Sequence, residues 1–193
     1  KGRLLDAVRP NRRQPVCGDI EQMPLAAASV ELACSNLALP WVGRADLALQ
    51  ELNRVLARGG LLMFTTLGPD TLTELRAALG PDGAHAVHLF ADMHDIGDQL
   101  VQCGFAEPVM DMEHIRLTFD SPQRLLTELR ELGRNLHVQR FPGLRGRAWQ
   151  AQLCQALQQE LADPAQDGRL TLEFEIIYGH AFKPAPRVRV SPS

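Results

Sequence analysis

Three short polar segments follow apolar runs and carry side chains that could bind a small molecule. They are Gly18-Asp19-Ile20, Ser35-Asn36-Leu37 and Gly68-Pro69-Asp70. Carboxylate, hydroxyl and amide groups can hydrogen-bond a polar ligand, and apolar side chains line most ligand pockets. Each segment also has a structural interpretation, because Gly-Asp and Ser-Asn pairs are typical of turns. The elements around the segments must therefore decide between the two interpretations.

A βαβ unit is predicted around the second segment. Val30–Cys34 is an apolar run typical of a buried strand, and Leu61–Thr66 predicts a second strand. Between them, apolar residues recur with the period of one helix: Ala45, Ala48, Leu49, Leu52, Val55 and Leu56. Arg54 and Arg58 suit the last turns of that helix, and Gly59-Gly60 predicts a left-handed stop.

This unit predicts where the three polar segments lie. The strands of a βαβ unit are parallel, and ligands bind such sheets beyond the carboxyl ends of the strands. Val16 and Cys17 predict a further short strand before Asp19. We therefore expect the three segments to share one rim of an α/β sheet, with Trp41 either in the core or beside the ligand.

The second half of the chain predicts a helical insertion between strands. Thr71-Leu72-Thr73-Glu74 fits a capping box, and Asp92 caps a helix that runs to Cys103 and stops at Gly104. A long strand, 109–119, changes apolar parity near Glu113, which predicts a bulge there. Two helices, from Ser121-Pro122 and over 146–162, predict a cap, and the alternating run Leu170–Phe182 predicts an antiparallel edge or penultimate strand. The expected domains are a core of residues 1–120 and 168–183, a cap of residues 121–167 and a disordered tail, 184–193.

An ordered set of motifs resembles the second half of a class I S-adenosylmethionine-dependent methyltransferase. The motifs are Gly18-Asp19, Met23-Pro24-Leu25, Ser29-Val30-Glu31-Leu32, Ser35-Asn36-Leu37-Ala38-Leu39 with Trp41, and Leu56-Ala57-Arg58-Gly59-Gly60. Later motifs are similar to those of the malonyl-acyl-carrier-protein O-methyltransferase family of biotin synthesis. These are Gly68-Pro69-Asp70-Thr71-Leu72, Asp92-Met93-His94-Asp95-Ile96-Gly97, Val109-Met110-Asp111-Met112-Glu113 and Tyr178-Gly179-His180-Ala181.

The resemblance implies a Rossmann-like fold, a cofactor and roles for individual residues. Asp19 would accept from the adenine amine, Ile20 would pack on the ring, and Ser35, Asn36 and Leu37 would meet the amino-acid end of S-adenosylmethionine. The family's glycine-rich loop and the acidic residue that holds the ribose are absent from this sequence, so we expect a fragment of a longer polypeptide.

The resemblance also implies a carboxylate acceptor and an acidic protein partner. Six arginines and only two glutamates lie between Arg124 and Arg147, although the chain carries a net charge of −3. This basic stretch is either a solvated helix surface or a docking face for acyl carrier protein carrying malonyl. Trp41, Arg145 and Arg147 are the expected substrate contacts. Two alternatives stay open: methylation of another carboxylate, and a non-catalytic assembly or binding protein of the same shape.

Composition argues against several other classes of protein. Apolar residues make up 45% and charged residues 22%, and no apolar run approaches the ~20 residues of a membrane span. The net charge gives no general attraction to nucleic acid. Four single cysteines without CxxC spacing and three irregular histidines, His85, His88 and His94, favour reduced thiols and no metal site. We expect a cytoplasmic protein.

Overall fold

The computed structural model describes residues 15–80, 89–132 and 146–185. Its centre is the predicted parallel βαβ unit: strand β1 (Val30–Asn36), helix α1 (Ala45–Val55) and strand β2 (Leu56–Leu67). Leu32 pairs with Leu61 and Asn36 pairs with Thr65 in parallel register. The prediction of parallel strands joined by an amphipathic helix is confirmed.

Two long strands complete the sheet. Strand β3 (Ala106–Phe119) lies at the edge, and strand β5 (Arg169–Phe182) lies between β2 and β3, antiparallel to both. The described sheet order is β1-β2-β5-β3, and the short strand β4 (Ala162–Asp163) pairs with the start of β5. The last strand is therefore the penultimate strand, one of the two positions predicted.

The first core lies on one face of this sheet. It is covered by α1 and by helix α3 (Met93–Gln102), whose Asp92 N-cap and Gly104 stop follow the prediction. The buried members are Leu39, Leu49, Leu52, Leu56, Leu62, Phe64, Ile96, Leu100, Phe105, Ile177 and Ala181. Position 179 on this face requires glycine, because the ring of its cross-strand partner Phe64 fills the space that a side chain would need.

A second core lies where β3 and β5 extend past the end of β2. Helices α2 (Thr73–Ala78), α4 (Pro122–Leu132) and α5 (Arg147–Leu161) supply its helical side. Its buried residues are Leu75, Phe119, Leu125, Leu153, Leu157, Leu161, Leu170, Leu172 and Phe174. The predicted connection between the last two helices lies within residues 133–145, outside the described part of the chain.

The two cores use opposite faces of β5. Leu170, Leu172 and Phe174 face the second core, whereas Ile177 and Ala181 face the first. Tyr178 and Phe182, which share the alternation of Leu170, are 40% and 38% exposed. The alternation over Leu170–Phe182 therefore does not mark one buried side, because the packed helices change faces halfway along the strand.

Five local predictions are wrong, and the first concerns the end of α1. The helix ends at Val55 rather than near Arg58, because Leu56 already pairs with Val30 and Gly60 with the end of β5. Gly59 has the predicted left-handed conformation (φ 75°) but lies within β2. The ammonium of Lys183 donates hydrogen bonds to the carbonyls of Asn53 and Leu56, at 2.7 and 2.8 Å.

The capping box after β2 is absent. The N-cap of α2 is Leu72, in the left-handed region, and its side chain makes no cap bond. Thr71 is buried and instead exchanges hydrogen bonds of 3.1 Å with the backbone of Glu175. Tertiary contact with β5 outweighs the local motif.

The other three errors concern strands. Val16 is 57% exposed and is not in a strand with Cys17. The irregularity in β3 lies between Ala106 and Val109, where Glu107 has φ 53° and Pro108 lacks a donor, and not at Glu113. β1 is a strand as predicted but is not buried, since Leu32 is 53% exposed.

Of the predicted tail, 184–193, residues 184 and 185 form no helix or strand, and 186–193 lie outside the described residues. Among the helices that the structure describes, none combines the length and the apolar character needed to cross a membrane.

Candidate functional site

The carboxyl end of β1 is held by one threonine of β2. The Thr65 hydroxyl donates to Asn36 Oδ1 at 2.6 Å and accepts from the Leu37 backbone N–H at 3.0 Å. Leu37 adopts φ 50°, so the chain turns sharply away from the strand. Among the described residues the Asn36 amide N–H groups have no partner, and because this side chain is exposed they can donate to a ligand.

Trp41 follows this turn in a short 3-10 helix, Leu39–Trp41. Leu39 and Pro40 are buried and anchor the helix, whereas Trp41 is 37% exposed. Of the two interpretations of Trp41, the exposed fraction favours a wall beside the rim over an ordinary core residue.

The Asp19 segment reaches the same end of the sheet along helix α1. Asp19 forms an Asx turn, accepting from the Glu21 N–H at 2.9 Å, and Glu21 Oε1 accepts from the Arg44 N–H at 2.8 Å. Arg44 is the N-cap of α1, three residues after Trp41. The chain then follows the helix to its other end, where Ala28 and Ser29 donate to the carbonyls of Arg54 and Val55.

The rim therefore collects some of the predicted site residues. Asn36 and Leu37 meet at Thr65, and Glu21 ties the turn of Asp19 and Ile20 to the segment after Trp41. Ser35 points to the opposite face from Asn36, toward the first core, since it pairs in register with buried Phe64. Within the described residues, Ser35 Oγ is buried and has no hydrogen-bond partner.

The predicted arginines lie apart from this rim in the chain and are only partly described. Arg147 is the first residue of α5 and is exposed, and Arg145 lies outside the described residues. Arg124 forms a 2.5 Å ion pair with Glu128, one turn away on α4. Part of the positive charge of the cap is therefore already compensated.

Sequence reasoning missed two residues of the rim. Thr65 lies in an apolar strand, and only its register opposite Asn36 gives it a role. Glu175 is 4% exposed, and its carboxylate accepts from the Asp70 N–H at 2.9 Å. A glutamate in an alternating strand gives no signal of this contact.

A polar row crosses the sheet at the rim. Register aligns Asn36, Thr65, Tyr178 and Asp111 on four neighbouring strands. The Tyr178 hydroxyl donates to Glu113, and this bond, followed by burial, raises the pKa of the phenol above its usual value. Tyr178 is therefore a neutral hydrogen-bond donor at physiological pH.

Metal chemistry finds no support in the residues described. Across 15–80, 89–132 and 146–185, no three His, Cys, Asp or Glu side chains are grouped to hold an ion. His94 follows the Asp92 cap, to which its backbone N–H donates at 2.7 Å. His85 and His88 lie outside the described residues.

Comparison with known proteins gives the class first. The chain matches a family model described as a methyltransferase domain over residues 3–64. Its fold is similar to that of a candidate methyltransferase from Bacillus halodurans, with TM-score 0.60, 17% identity and coverage of 91% of this chain and 74% of that one. The YcgJ protein from Bacillus subtilis aligns with TM-score 0.57 and 12% identity, covering 88% and 70%. The chain has a methyltransferase-like Rossmann fold, as predicted.

The sequence is more similar to individual proteins with one name than to these structures. A malonyl-[acyl-carrier protein] O-methyltransferase from Gallionella capsiferriformans is 49% identical over 179 residues, covering 92% of this chain and 60% of the relative. The protein of that name from Laribacter hongkongensis is 50% identical over 177 residues, covering 90% and 58%. The predicted resemblance is confirmed. The chain spans about three fifths of the length of the relatives it matches.

Proposed function

We propose that this chain is part of an S-adenosylmethionine-dependent O-methyltransferase that methylates the free carboxyl of malonyl on acyl carrier protein, early in biotin synthesis. The observation that carries the proposal is 49% identity to an enzyme of that name along nine tenths of the chain. The rim of polar groups at the carboxyl ends of β1 and β2 supports it, because open α/β sheets bind ligands there.

The residues at the rim suit the methyl donor. Asp19 is exposed and Ile20 half-buried, which suits a carboxylate that accepts from the adenine amine beside an apolar cover for the ring. Within the described residues the Asn36 amide N–H groups have no hydrogen-bond partner and can donate to the cofactor, whereas Ser35 faces the first core. When bound, S-adenosylmethionine supplies an electrophilic methyl group on a sulfonium.

The acceptor needs placement rather than a base. A carboxyl group is already ionised at neutral pH, so no residue has to remove its proton. The protein must hold the carboxylate oxygen in line with the methyl group and exclude water. We assign Trp41 to the wall of this space, and Arg145 or Arg147 to the acceptor carboxylate.

A basic cap suits an acidic carrier protein. Arg130 and Arg147 are exposed on α4 and α5, and complementary charge of this kind increases the rate of association. The increase should fade with salt, because a Debye length of about 8 Å at physiological ionic strength screens exposed charges. We place the protein in the cytoplasm.

Substrate comparison tests the acceptor. Methyl transfer to malonyl-acyl carrier protein should exceed transfer to a malonyl thioester of a small thiol, and the difference should shrink as salt is added. Replacing Arg145 and Arg147 together by Ala should raise KM for the carrier-bound substrate. Equal rates for the two thioesters would favour a methyltransferase of another carboxylate. Calorimetry with S-adenosylhomocysteine separates both from a non-catalytic binding protein.

A further inference from the structure

One ion pair on helix α1 fixes the segment that follows Asp19 and Ile20. Arg54 donates to both carboxylate oxygens of Glu51, from Nε and from Nη2, each at 2.7 Å. Glu51 Oε1 also accepts from the Met23 N–H at 2.7 Å, and Arg54 Nη2 donates to the Met23 carbonyl at 3.2 Å. The same nitrogen donates to the Leu25 carbonyl at 2.7 Å. Two side chains thus satisfy three backbone groups of one segment.

The pair is well placed to act as a support. The Glu51 side chain is only 12% exposed and that of Arg54 38%, so the contacts are partly shielded from water. The hydrogen bond from Arg54 lowers the pKa of Glu51, and that from Glu51 raises the pKa of Arg54. Both groups are charged at neutral pH, and charge-assisted hydrogen bonds are stronger than neutral ones.

The supported segment has little structure of its own. Residues 15–29 contain no helix and no strand, apart from a single bridge between Asp19 and Gln22. Met23 packs against the first core, and Glu21 holds the other end at the N-cap of α1. Without a ladder of hydrogen bonds, the position of the Asp19 turn depends on these few contacts.

We propose that Glu51 and Arg54 are positioning residues that set the place of Asp19 and Ile20 at the rim, and thereby the affinity for the nucleoside part of the methyl donor. This inference rests on the proposed function, which assigns Asp19 and Ile20 to the adenine. It predicts that a change at Glu51 or Arg54 weakens recognition of a ring that is assigned to Asp19 and Ile20.

The test compares two ligands on matched variants of the full 193-residue polypeptide. Calorimetry measures the Kd of adenosine and of S-adenosylhomocysteine for the unsubstituted polypeptide, Arg54→Ala, Glu51→Ala and Asp46→Asn. Arg54→Ala and Glu51→Ala should raise both Kd values by the same factor, roughly tenfold or more, since small misplacements of binding groups are costly. Asp46→Asn is the control, because it removes the exposed 2.6 Å Arg44–Asp46 ion pair at the start of the same helix and leaves the bond from the Arg44 N–H to Glu21 in place.

A purely structural role gives a different result. Lower Tm with unchanged Kd for both ligands, measured well below Tm, would overturn the positioning role and leave the proposed function intact. Absence of S-adenosylhomocysteine binding to the unsubstituted polypeptide would instead contradict the proposed function, and the positioning role with it. Amide exchange without ligand provides an independent readout. The Met23 N–H should exchange faster in Arg54→Ala than in Asp46→Asn. Equal exchange rates would show that Glu51 and Arg54 do not hold the segment in place.

Discussion

The carboxyl group of Glu175 occupies the space that a side chain on Gly68 would need. A Cβ built on Gly68 would lie 2.6 Å from Glu175 Oε1. The two residues are also joined through the backbone, since the Gly68 N–H donates to the Glu175 carbonyl at 2.9 Å. The turn that leads from β2 to α2 is therefore closed against β5, next to the rim.

Gly68→Ala should lower the free energy of unfolding by about 1–3 kcal/mol, the usual cost of overpacking a closed site. The added methyl group meets a carboxylate that is buried and tied to the Asp70 N–H, so it cannot move without losing that bond. Denaturant unfolding measures the change. Gly146→Ala is the control, because its Cβ would meet no atom within 4 Å.

The double variant makes this prediction specific. Glu175→Ala removes the obstacle, so adding Gly68→Ala to it should cost at least about 1 kcal/mol less than in the original protein. If the losses of unfolding free energy in the two single variants simply add in the double variant, Gly68 is required for a reason other than the Glu175 carboxyl group.

Lys183→Met should destabilise the protein by about 1–2 kcal/mol, because a charged donor is lost from the last carbonyls of α1. Lys183 holds the carbonyls of Asn53 and Leu56, and its own backbone joins β2 through Gly59 and Gly60. The same substitution at exposed Arg58 removes a charge without those bonds and serves as the control in thermal unfolding. An equal loss of stability in the two variants would show that the hydrogen bonds from Lys183 to the end of α1 do not stabilise the protein.

Tyr178 should titrate above the usual value for a phenol, and its titration can be seen directly because it is the only tyrosine in the chain. Glu113 accepts its hydrogen bond and favours the protonated form, so Glu113→Gln should move the ultraviolet titration toward lower pH. The linked stability is present below the unfolded-state pKa of about 10 and is lost as pH rises through the folded-state pKa. A midpoint unchanged by Glu113→Gln would argue against the bond.

The sheet face opposite the first core should bind apolar probes. Register brings Leu32, Met63 and Phe182 together there, and all three are at least 38% exposed. Contiguous exposed apolar surface promotes association, so the 193-residue polypeptide should bind a hydrophobic dye, and Met63→Lys should reduce the signal. Val101→Lys, at an equally exposed position on α3, should change it less. Equal effects would disprove a role for this face.

Periodicity predicted the elements well where burial follows a regular pattern. The stripe on α1 predicts the parallel unit because it records the side that faces the first core. The alternation of β5 predicts a strand, but only its first half, with Leu170 and Phe174, records a side that faces a core. The end of α1 could not be read in this way. It is decided by Lys183 and by pairing with Val30, contacts that are distant in sequence.

The candidate site was only partly predictable for the same reason. Asp19, Asn36 and Trp41 follow apolar runs, and motif order drew attention to them. Thr65 and Glu175 act through contacts that are distant in sequence. The residues around Thr71 predict a helix cap, but its hydrogen bonds to Glu175 of β5 prevail. Ser35 was grouped with Asn36, although alternate residues of a strand point to opposite faces.

The most direct test of the account is transfer of a labelled methyl group from S-adenosylmethionine to malonyl-acyl carrier protein by the 193-residue polypeptide. We predict label on the carrier that mild alkali releases as methanol, as expected of a methyl ester, and that is reduced in Asn36→Ala. No transfer, or label that resists alkali, would contradict methylation of the malonyl carboxyl by this chain.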